Sequence, residues 1–277
     1  MARAINKMRA EGAAWRLTQD YCLDTPGPTP VEDIAMDYGV VCLEAVLTGC
    51  LARLVRKGKR GIIRTKLGIR EPGRRRFAVA HELGHWFLHE AESQYFVCTA
   101  EQMRDYKGSP LEVEANIFAS ELLMPTALFR PIAENAAPTL ESISSLADTF
   151  VTSLTATGIK FVDQNRHECV LVLSKDYRVA WSKQKGTRSG LRIEKGMALH
   201  QESLAQYVAE PQGKLGPTAV PAEAWIAANW YERQIEVTEQ SWTLDGYRSV
   251  LTLLVITDMD DPQEEDMVGH YERKFTR

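Results

Sequence analysis

Features that mark membrane and secreted proteins are missing from this sequence of 277 residues. It contains no run of about 18 consecutive apolar residues, the length that a helix needs to cross a bilayer. The stretch from Met1 to Arg16 includes Arg3, Lys7 and Arg9 but lacks the apolar segment of a secretory signal. We therefore expect a cytoplasmic protein that does not bind membranes.

Cysteine is scarce, and its spacing excludes two common kinds of site. The five cysteines are odd in number and widely spaced, and no two of them form a CxxC pair. This argues against a disulfide framework and against a zinc site made of cysteine alone. Four of them are interpreted as buried reduced thiols, and Cys98 is considered separately below. The four are Cys22, Cys42, Cys50 and Cys169.

The net charge of -4 by itself says little about binding partners, but the basic residues are unevenly distributed along the chain. Eleven of the 33 lysines and arginines lie between Arg53 and Arg76, where Glu71 is the only acidic residue. The rest of the chain is acidic. A concentrated basic segment on an acidic protein is a candidate site for a polyanion.

Hydrophobic periodicity predicts an α+β chain. Helices and a small sheet are predicted first, then two helices that resemble a helix-turn-helix pair, and then mainly strands beyond His167. We predict a capping box from Thr29 to Glu32 and a helix N-cap at Thr139. A domain boundary is predicted near residue 165. Predicted helices span residues 4–21, 30–39, 75–90, 111–124, 140–150 and 152–164, and predicted strands 40–47, 51–56, 61–67, 95–97, 169–174, 177–182 and 249–257.

The clearest chemical signal is the stretch HELGH at residues 81–85. On a helix, His81 and His85 lie on one face, one turn apart, so their imidazoles can bind one zinc ion. Glu82 follows directly and can take a proton from a water molecule at the metal. Two surface histidines would also match this pattern. Apolar residues surround it here, however, and a buried His/Glu cluster without a role would be costly.

A catalytic zinc needs a third protein ligand. His89 continues along the same helix and does not fit the HExxHxxGxxH spacing, so we interpret it as structural or as a support for a ligand. Glu112 and Glu114 on the next predicted helix are the alternatives. Glu112 shares a helix face with Asn116, a polar support of the kind that metal sites use, whereas Glu114 lies about 160° away from Asn116. Glu112 is therefore preferred, and Glu114 is expected to be a solvated charge.

Two segments together resemble the ImmA/IrrE family of zinc metallopeptidases. They are RFAVAHELGH at residues 76–85, followed by Leu88 and His89, and EVEANIFASELLMP at residues 112–125. Both segments occur in order with a short insert between them, which makes the resemblance specific. The matching setting of helices and sheet extends back to about residue 30.

The resemblance implies a thermolysin-like minimal zincin domain that binds Zn²⁺. In that site His81, His85 and Glu112 would be the ligands, Glu82 the general base, and Asn116 a supporting residue. Longer members of the family carry a helix-turn-helix-like middle and a C-terminal GAF-like α/β sensor domain. By this layout, residues 1–135 are the peptidase domain, 136–165 a helical linker and 166–277 the sensor domain.

The family also implies a substrate. Its members cleave a helix-turn-helix repressor in response to stress or damage, and some relatives serve anti-phage systems. Two other functions remain open: a nucleic-acid-binding regulator with a structural zinc site, and a general peptidase. The intact Glu82 argues against a structural site, which has no use for a base. Lys160 is the only basic residue in the second helix of the helix-turn-helix-like pair, which argues against DNA readout there.

The basic segment suggests an activator. Lysines and arginines with few aromatic residues suit contacts to phosphate rather than to bases. We hypothesise that single-stranded DNA binds there and stimulates cleavage, the alternative being a solvated hairpin. The predicted contact residues are Arg53, Arg56, Lys57, Lys59, Arg60, Arg64 and Lys66.

Cys98 suggests a second form of control. It lies between His85 and Glu112 in the sequence, after a predicted short strand, so its segment must pass near the zinc. A thiolate is a better zinc ligand than water. Cys98 is therefore a candidate inhibitory fourth ligand, with a small apolar packing role as the alternative.

Overall fold

The computed structural model describes residues 4–90, 95–98, 109–185, 193–208, 213–225, 235–244 and 249–258, with the backbone alone for 95–98 and 258. The described residues form seven α-helices and nine strands, the mixed α+β class that the sequence predicts. The helices are α1 (Lys7–Asp20), α2 (Val31–Asp37), α3 (Pro72–Leu88), α4 (Pro110–Leu123), α5 (Thr126–Ala133), α6 (Leu140–Phe150) and α7 (Leu154–Gln164). The strands are β1 (Val40–Ala45), β2 (Ala52–Lys57), β3 (Arg60–Lys66), β4 (Tyr95–Cys98), β5 (Cys169–Lys175), β6 (Arg178–Gln184), β7 (Lys214–Val220), β8 (Ile235–Leu244) and β9 (Ser249–Asp258).

The chain divides into two compact units, and the first comprises residues 1–132 and 145–157. Its sheet has the strand order β1-β3-β2-β4. β1 is parallel to β3, whereas β2 is antiparallel to both β3 and β4. Side chains alternate across β2 and β3, so that Ala52, Leu54 and Ile63 are buried on the face that packs against α3.

Helix α3 carries the HELGH stretch and lies close to both the sheet and α4. Pro72 occupies its first turn, where no helical hydrogen bond is lost. A Cβ atom added to Gly61 of β3 would lie 2.8 Å from Cζ3 of Trp86 on α3. A Cβ atom added to Gly84 of α3 would lie 2.9 Å from Cα of Ala115 on α4. Both glycines are therefore needed for this close packing.

The helix starts that the sequence predicts differ in outcome. The capping box at Thr29 is wrong: α2 follows Pro30 without a side-chain cap, and the Thr29 hydroxyl donates to the Leu122 carbonyl at 2.8 Å. The predicted N-cap at Thr139 is confirmed, because its hydroxyl accepts from Ser142 N at 3.2 Å. The cap at Thr139 follows from the local sequence, whereas the position of Thr29 depends on a contact with the distant end of α4.

The second unit comprises residues 133–144 and 158–277. Its sheet is antiparallel throughout, with the order β6-β5-β9-β8-β7. Strands β5, β6 and β9 correspond to predicted strands, whereas β7 and β8 were not predicted. Apolar residues of β5 and β9 fill the core, among them Val170, Val172 and Leu254.

A buried carboxylate organises the polar part of this second unit. Glu239 of β8 is 0% exposed. Its oxygens accept hydrogen bonds from Ser203 Oγ and Ser241 Oγ at 3.0 Å, Ala205 N at 2.9 Å and Trp225 Nε1 at 2.7 Å. Because Ser203 and Trp225 flank two short 3-10 helices, this network attaches both helices to the sheet.

Helices α6 and α7 form the predicted helical pair, joined by three residues of which Val151 has a φ of 50°. Lys160 of α7 is only 7% exposed, so α7 presents no exposed basic residue. The domain boundaries at residues 135 and 165, the GAF-like assignment and the cytoplasmic location stay predictions. Within the described ranges, no helix has both the length and the apolar character that a membrane span requires.

Candidate metal centre

Helix α3 brings two imidazoles together, as the i, i+4 spacing predicts. His81 and His85 are 0% and 1% exposed, and their Nε2 atoms lie 3.1 Å apart. The two rings meet nearly edge to face, at an interplanar angle of 76°. Two nitrogen atoms of one helix therefore face the same small volume inside the protein.

Glu112, in the first turn of α4, supplies a third donor. The Ser109 side chain accepts from Glu112 N and caps this helix. Glu112 Oε2 lies 3.2 Å from His81 Nε2, and Oε1 lies 3.4 Å from His85 Nε2. The close packing of α3 on α4 at Gly84 makes these short distances possible.

The donor set of His81, His85 and Glu112 fits a tetrahedral metal ion. Zinc ligands at their usual bond lengths and the tetrahedral angle lie roughly 3.3–3.6 Å from one another. The closest separations here are 3.1, 3.2 and 3.4 Å, and one ligand atom from each residue lies within 4.8 Å of the others. Two imidazoles and a carboxylate are typical zinc ligands, and a cation between them would relieve the repulsion of converging lone pairs.

Electrostatics place His85 and Glu112 in their metal-binding protonation states. Burial lowers the pKa of His85 to about 4, although Glu112 acts in the opposite direction. Burial alone would raise the pKa of Glu112, but hydrogen bonds with His81 and His85 outweigh it and hold this pKa below its usual range. A neutral imidazole and an ionised carboxylate are the forms that bind a metal cation.

Asn116 supports the site through His81. It lies one turn beyond Glu112 on the same helix, as the sequence predicts. Its Oδ1 lies 2.9 Å from Nδ1 of His81, and it is 0% exposed. A proton on Nδ1 of His81 can therefore be donated to Asn116, which leaves the Nε2 lone pair directed at the other two donors.

His89 and Glu114 form a second buried layer behind His85. The Nδ1 atoms of His85 and His89 lie 2.9 Å apart, and His89 Nε2 lies 2.9 Å from Glu114 Oε2. This agrees with the interpretation of His89 as a supporting residue. The expectation that Glu114 is a solvated charge is wrong, because Glu114 is 0% exposed and is paired with His89. The spacing of His81, His85 and His89, each four residues apart, was the available signal for this layer.

The structure describes all of Glu82 but only the backbone of Cys98. Glu82, in the same helical turn as His81, is 0% exposed. Cys98 is the last residue of β4, whose backbone pairs with β2. The side chain of Cys98 lies outside the described residues, so its role as an inhibitory ligand stays a prediction.

The predicted nucleic-acid contacts lie on β2, β3 and their turn, which we term the basic hairpin (residues 52–66). The prediction that Arg56 contacts nucleic acid is wrong. Arg56 is 9% exposed, its guanidinium lies 3.7 Å from the centre of the Trp86 ring, and it donates to the Trp86 carbonyl. Arg53 is half-buried. The exposed members are Lys57, Lys59, Arg60, Arg64 and Lys66.

Similarity to solved structures supports the architecture. A Mycobacterium tuberculosis transcriptional regulator matches with a TM-score of 0.57 and 15% sequence identity. The match covers 93% of this chain and 82% of that chain. At this identity the likeness shows a shared fold alone. None of the curated proteins matches the chain.

The family model described as the IrrE N-terminal-like domain, Peptidase_M78, matches residues 69–161. This range contains all three donor residues and Glu82, and it confirms the predicted resemblance to the ImmA/IrrE family. The family is of the zinc metallopeptidase type. Residues 69–161 are therefore similar to the IrrE N-terminal-like domain of the Peptidase_M78 family.

Proposed function

We propose that the chain is a zinc-dependent endopeptidase. The observation that carries this proposal is the convergence of His81, His85 and Glu112 around one small buried volume, with Glu82 in the same helical turn. A structural zinc site uses four protein ligands, whereas a catalytic site uses three and keeps one position open. Within the part of the chain that the structure describes, three donors and a neighbouring carboxylate correspond to the catalytic arrangement.

Each residue then has a distinct role. A zinc ion held by His81, His85 and Glu112 would lower the pKa of a water molecule and polarise the scissile carbonyl. Glu82 accepts a proton from the attacking water on its carboxylate and donates it to the leaving amine nitrogen. Asn116 holds the ring of His81 by the hydrogen bond at Nδ1. Burial of these groups strengthens their electrostatic interactions, because the surrounding dielectric constant is low.

We further propose that the substrate is a partner helix-turn-helix repressor, cleaved at one site in response to stress, damage or phage infection. The match of residues 69–161 to the Peptidase_M78 family model supports this proposal. The second unit, with its separate five-stranded sheet, is a candidate GAF-like sensor for the controlling signal. A peptidase with such a unit is expected to act selectively rather than on unfolded proteins in general.

Metal content and cleavage measured together test the enzymatic proposal. The wild-type chain should bind about one zinc ion. His81→Ala and Glu112→Ala should lose the metal, whereas Glu82→Gln should keep it and lose cleavage of the partner helix-turn-helix repressor. Retained cleavage by Glu82→Gln would contradict the role of Glu82. Equal cleavage of casein and of the repressor would favour a general peptidase.

The basic hairpin supports a second proposal, that single-stranded DNA binds there and stimulates cleavage. Its antiparallel register places Arg53 opposite Arg64 and Lys57 opposite Arg60. Like charges directly opposite one another destabilise a strand pair, so a bound polyanion would stabilise this sheet. If this is correct, oligonucleotide should raise the cleavage rate, and the effect should weaken steeply with added salt. The rival function, a nucleic-acid-binding regulator with a structural metal, predicts DNA binding without cleavage of any repressor.

A further inference from the structure

A chain of hydrogen bonds leads from His85, one of the three donor residues, through the buried side chains of His89 and Glu114 to Asn6 at the start of α1. Nδ1 of His85 lies 2.9 Å from Nδ1 of His89, and Nε2 of His89 lies 2.9 Å from Oε2 of Glu114. Oε1 of Glu114 accepts a hydrogen bond from the backbone N–H of Asn6 at 2.8 Å. His89 and Glu114 are both 0% exposed. The chain thus joins α3, α4 and the residue that begins α1.

We propose that His89, Glu114 and the N–H group of Asn6 are positioning residues that fix the tautomer and the orientation of His85. Metal affinity then depends on the first turn of α1. This inference rests on the proposed function, because it assumes that His85 binds a metal ion.

One arrangement of protons satisfies the whole chain. To present a lone pair on Nε2, a neutral His85 carries its proton on Nδ1 and donates it to Nδ1 of His89. His89 then carries its own proton on Nε2 and donates it to Glu114, whose other oxygen receives the proton of Asn6 N–H. If Glu114 were replaced by a group that donates a hydrogen bond, this order would break and His85 would lose its preferred tautomer. Partners of this kind orient metal ligands and raise their basicity.

The first turn of α1 is tied to the site by a second contact. Asn6 Oδ1 accepts from Arg9 N at 3.0 Å and so caps α1, and Arg9 Nη2 donates to the Leu88 carbonyl at 2.6 Å. Leu88 ends α3, the helix that carries His81 and His85. The same turn therefore holds α4 through Glu114 and α3 through Leu88.

Glu114→Gln in the full-length chain is the first test. The glutamine has one acceptor oxygen for two donors, and its NH₂ group would face one of them. Zinc affinity, measured by competition with a chelator, should fall about 10–100-fold. The visible absorption spectrum of the Co²⁺-loaded chain should also shift, because the geometry of His85 changes.

Glu121→Gln is the matched control. Glu121 lies on the same helix, and its carboxylate accepts hydrogen bonds from Thr126 N at 2.8 Å and Thr126 Oγ1 at 2.6 Å. It lies seven residues beyond Glu114, outside the chain of contacts to His85. This variant should lower stability and leave zinc affinity and the cobalt spectrum unchanged. If losing any carboxylate on α4 weakened zinc binding, Glu114→Gln and Glu121→Gln would both show lower zinc affinity.

A pair of variants at Asn6 tests the link to α1 even if Glu114→Gln fails to fold. Asn6→Ala removes the helix cap and keeps the N–H group, whereas Asn6→Pro removes both. Zinc should bind several-fold more weakly to Asn6→Pro than to Asn6→Ala. The inference is overturned if the wild-type chain binds Zn²⁺ and both Glu114→Gln and Asn6→Pro match it in zinc affinity and cobalt spectrum. If the wild-type chain binds neither ion, the proposed function fails, and the inference fails with it.

Discussion

Replacing Gly84 by alanine tests whether the close approach of α3 and α4 creates the metal centre. The new Cβ atom would lie 2.9 Å from Cα, 3.1 Å from the carbonyl oxygen and 3.2 Å from Cβ of Ala115. These neighbours are mainly backbone atoms and cannot move aside by rotating a side chain. Because ordinary van der Waals contact begins at 3.4 Å, α4 must move away from α3 by about half an ångström.

The size of the effect follows from two opposing contributions. Overpacking a core of this kind destabilises a protein by about 1–3 kcal/mol. Alanine restores up to about 1 kcal/mol because it favours the helix over glycine. A shift of about half an ångström also exceeds the tolerance of about 0.2 Å that a metal site allows in its ligand distances. Closing Glu112 onto His81 and His85 would then cost about 1–2 kcal/mol, which corresponds to zinc binding that is about 5–30-fold weaker.

Two other glycines provide controls for this measurement. Gly12 in α1 has no atom within 4 Å of an added Cβ, so Gly12→Ala should stabilise the chain without changing zinc affinity. In α7, a Cβ atom on Gly158 would lie 2.8 Å from Cδ2 of Leu171, so Gly158→Ala should disturb packing away from the metal centre. Thermal unfolding with and without zinc, combined with chelator competition, separates stability from affinity. Unchanged zinc affinity in Gly84→Ala would refute the reasoning.

Three further predictions concern other parts of the chain. Arg64→Glu should weaken oligonucleotide binding and reduce its salt dependence. Arg56→Ala should leave oligonucleotide binding unchanged and should lower the free energy of unfolding by about 1–3 kcal/mol in urea titrations. Glu239→Gln should destabilise the second unit by about 1–3 kcal/mol in the same assay, because a glutamine cannot accept the hydrogen bonds from Trp225 and its other donors together. Burial, with the charge of Arg166, lowers the pKa of His167 to about 4. Stability should therefore be lost as pH falls from about 6.5 to about 4, and His167→Gln should reduce that loss in unfolding curves recorded across this range.

The parts of the site that sequence could predict are those governed by the geometry of one element. The spacing of His81 and His85 fixes both rings on one side of a helix, and the structure places their Nε2 atoms 3.1 Å apart. The burial of Arg56 does not follow from the amount of positive charge in the segment, because that amount is the same whichever face of the strand each residue occupies. Ala52, Leu54 and Arg56 alternate along β2, so Arg56 had to point toward the same core as its apolar neighbours.

The missed strands have a different cause. β7 contains Gly216 and Pro217, residues that weaken a strand prediction. β8 buries Glu239, Gln240 and Ser241, so its core positions do not appear as an apolar pattern. Three of the four hydrogen bonds that the Glu239 carboxylate accepts come from residues 14 to 36 positions away, and the fourth comes from Ser241. Such partners are visible only once the chain is folded.

The direction in which Glu114 points from α4 is predicted correctly, but its surroundings are not. Two residues along a helix differ by about 200°, so Glu112 and Glu114 must point to different sides of α4. Glu114 would face water only if α4 were buried on one side alone. Instead α1 packs along α4, and the N–H group of Asn6 meets Glu114 there. A helix enclosed by two others has no solvated side at that level. The carboxylate excluded from the set of donor residues is therefore available to position His85 through His89.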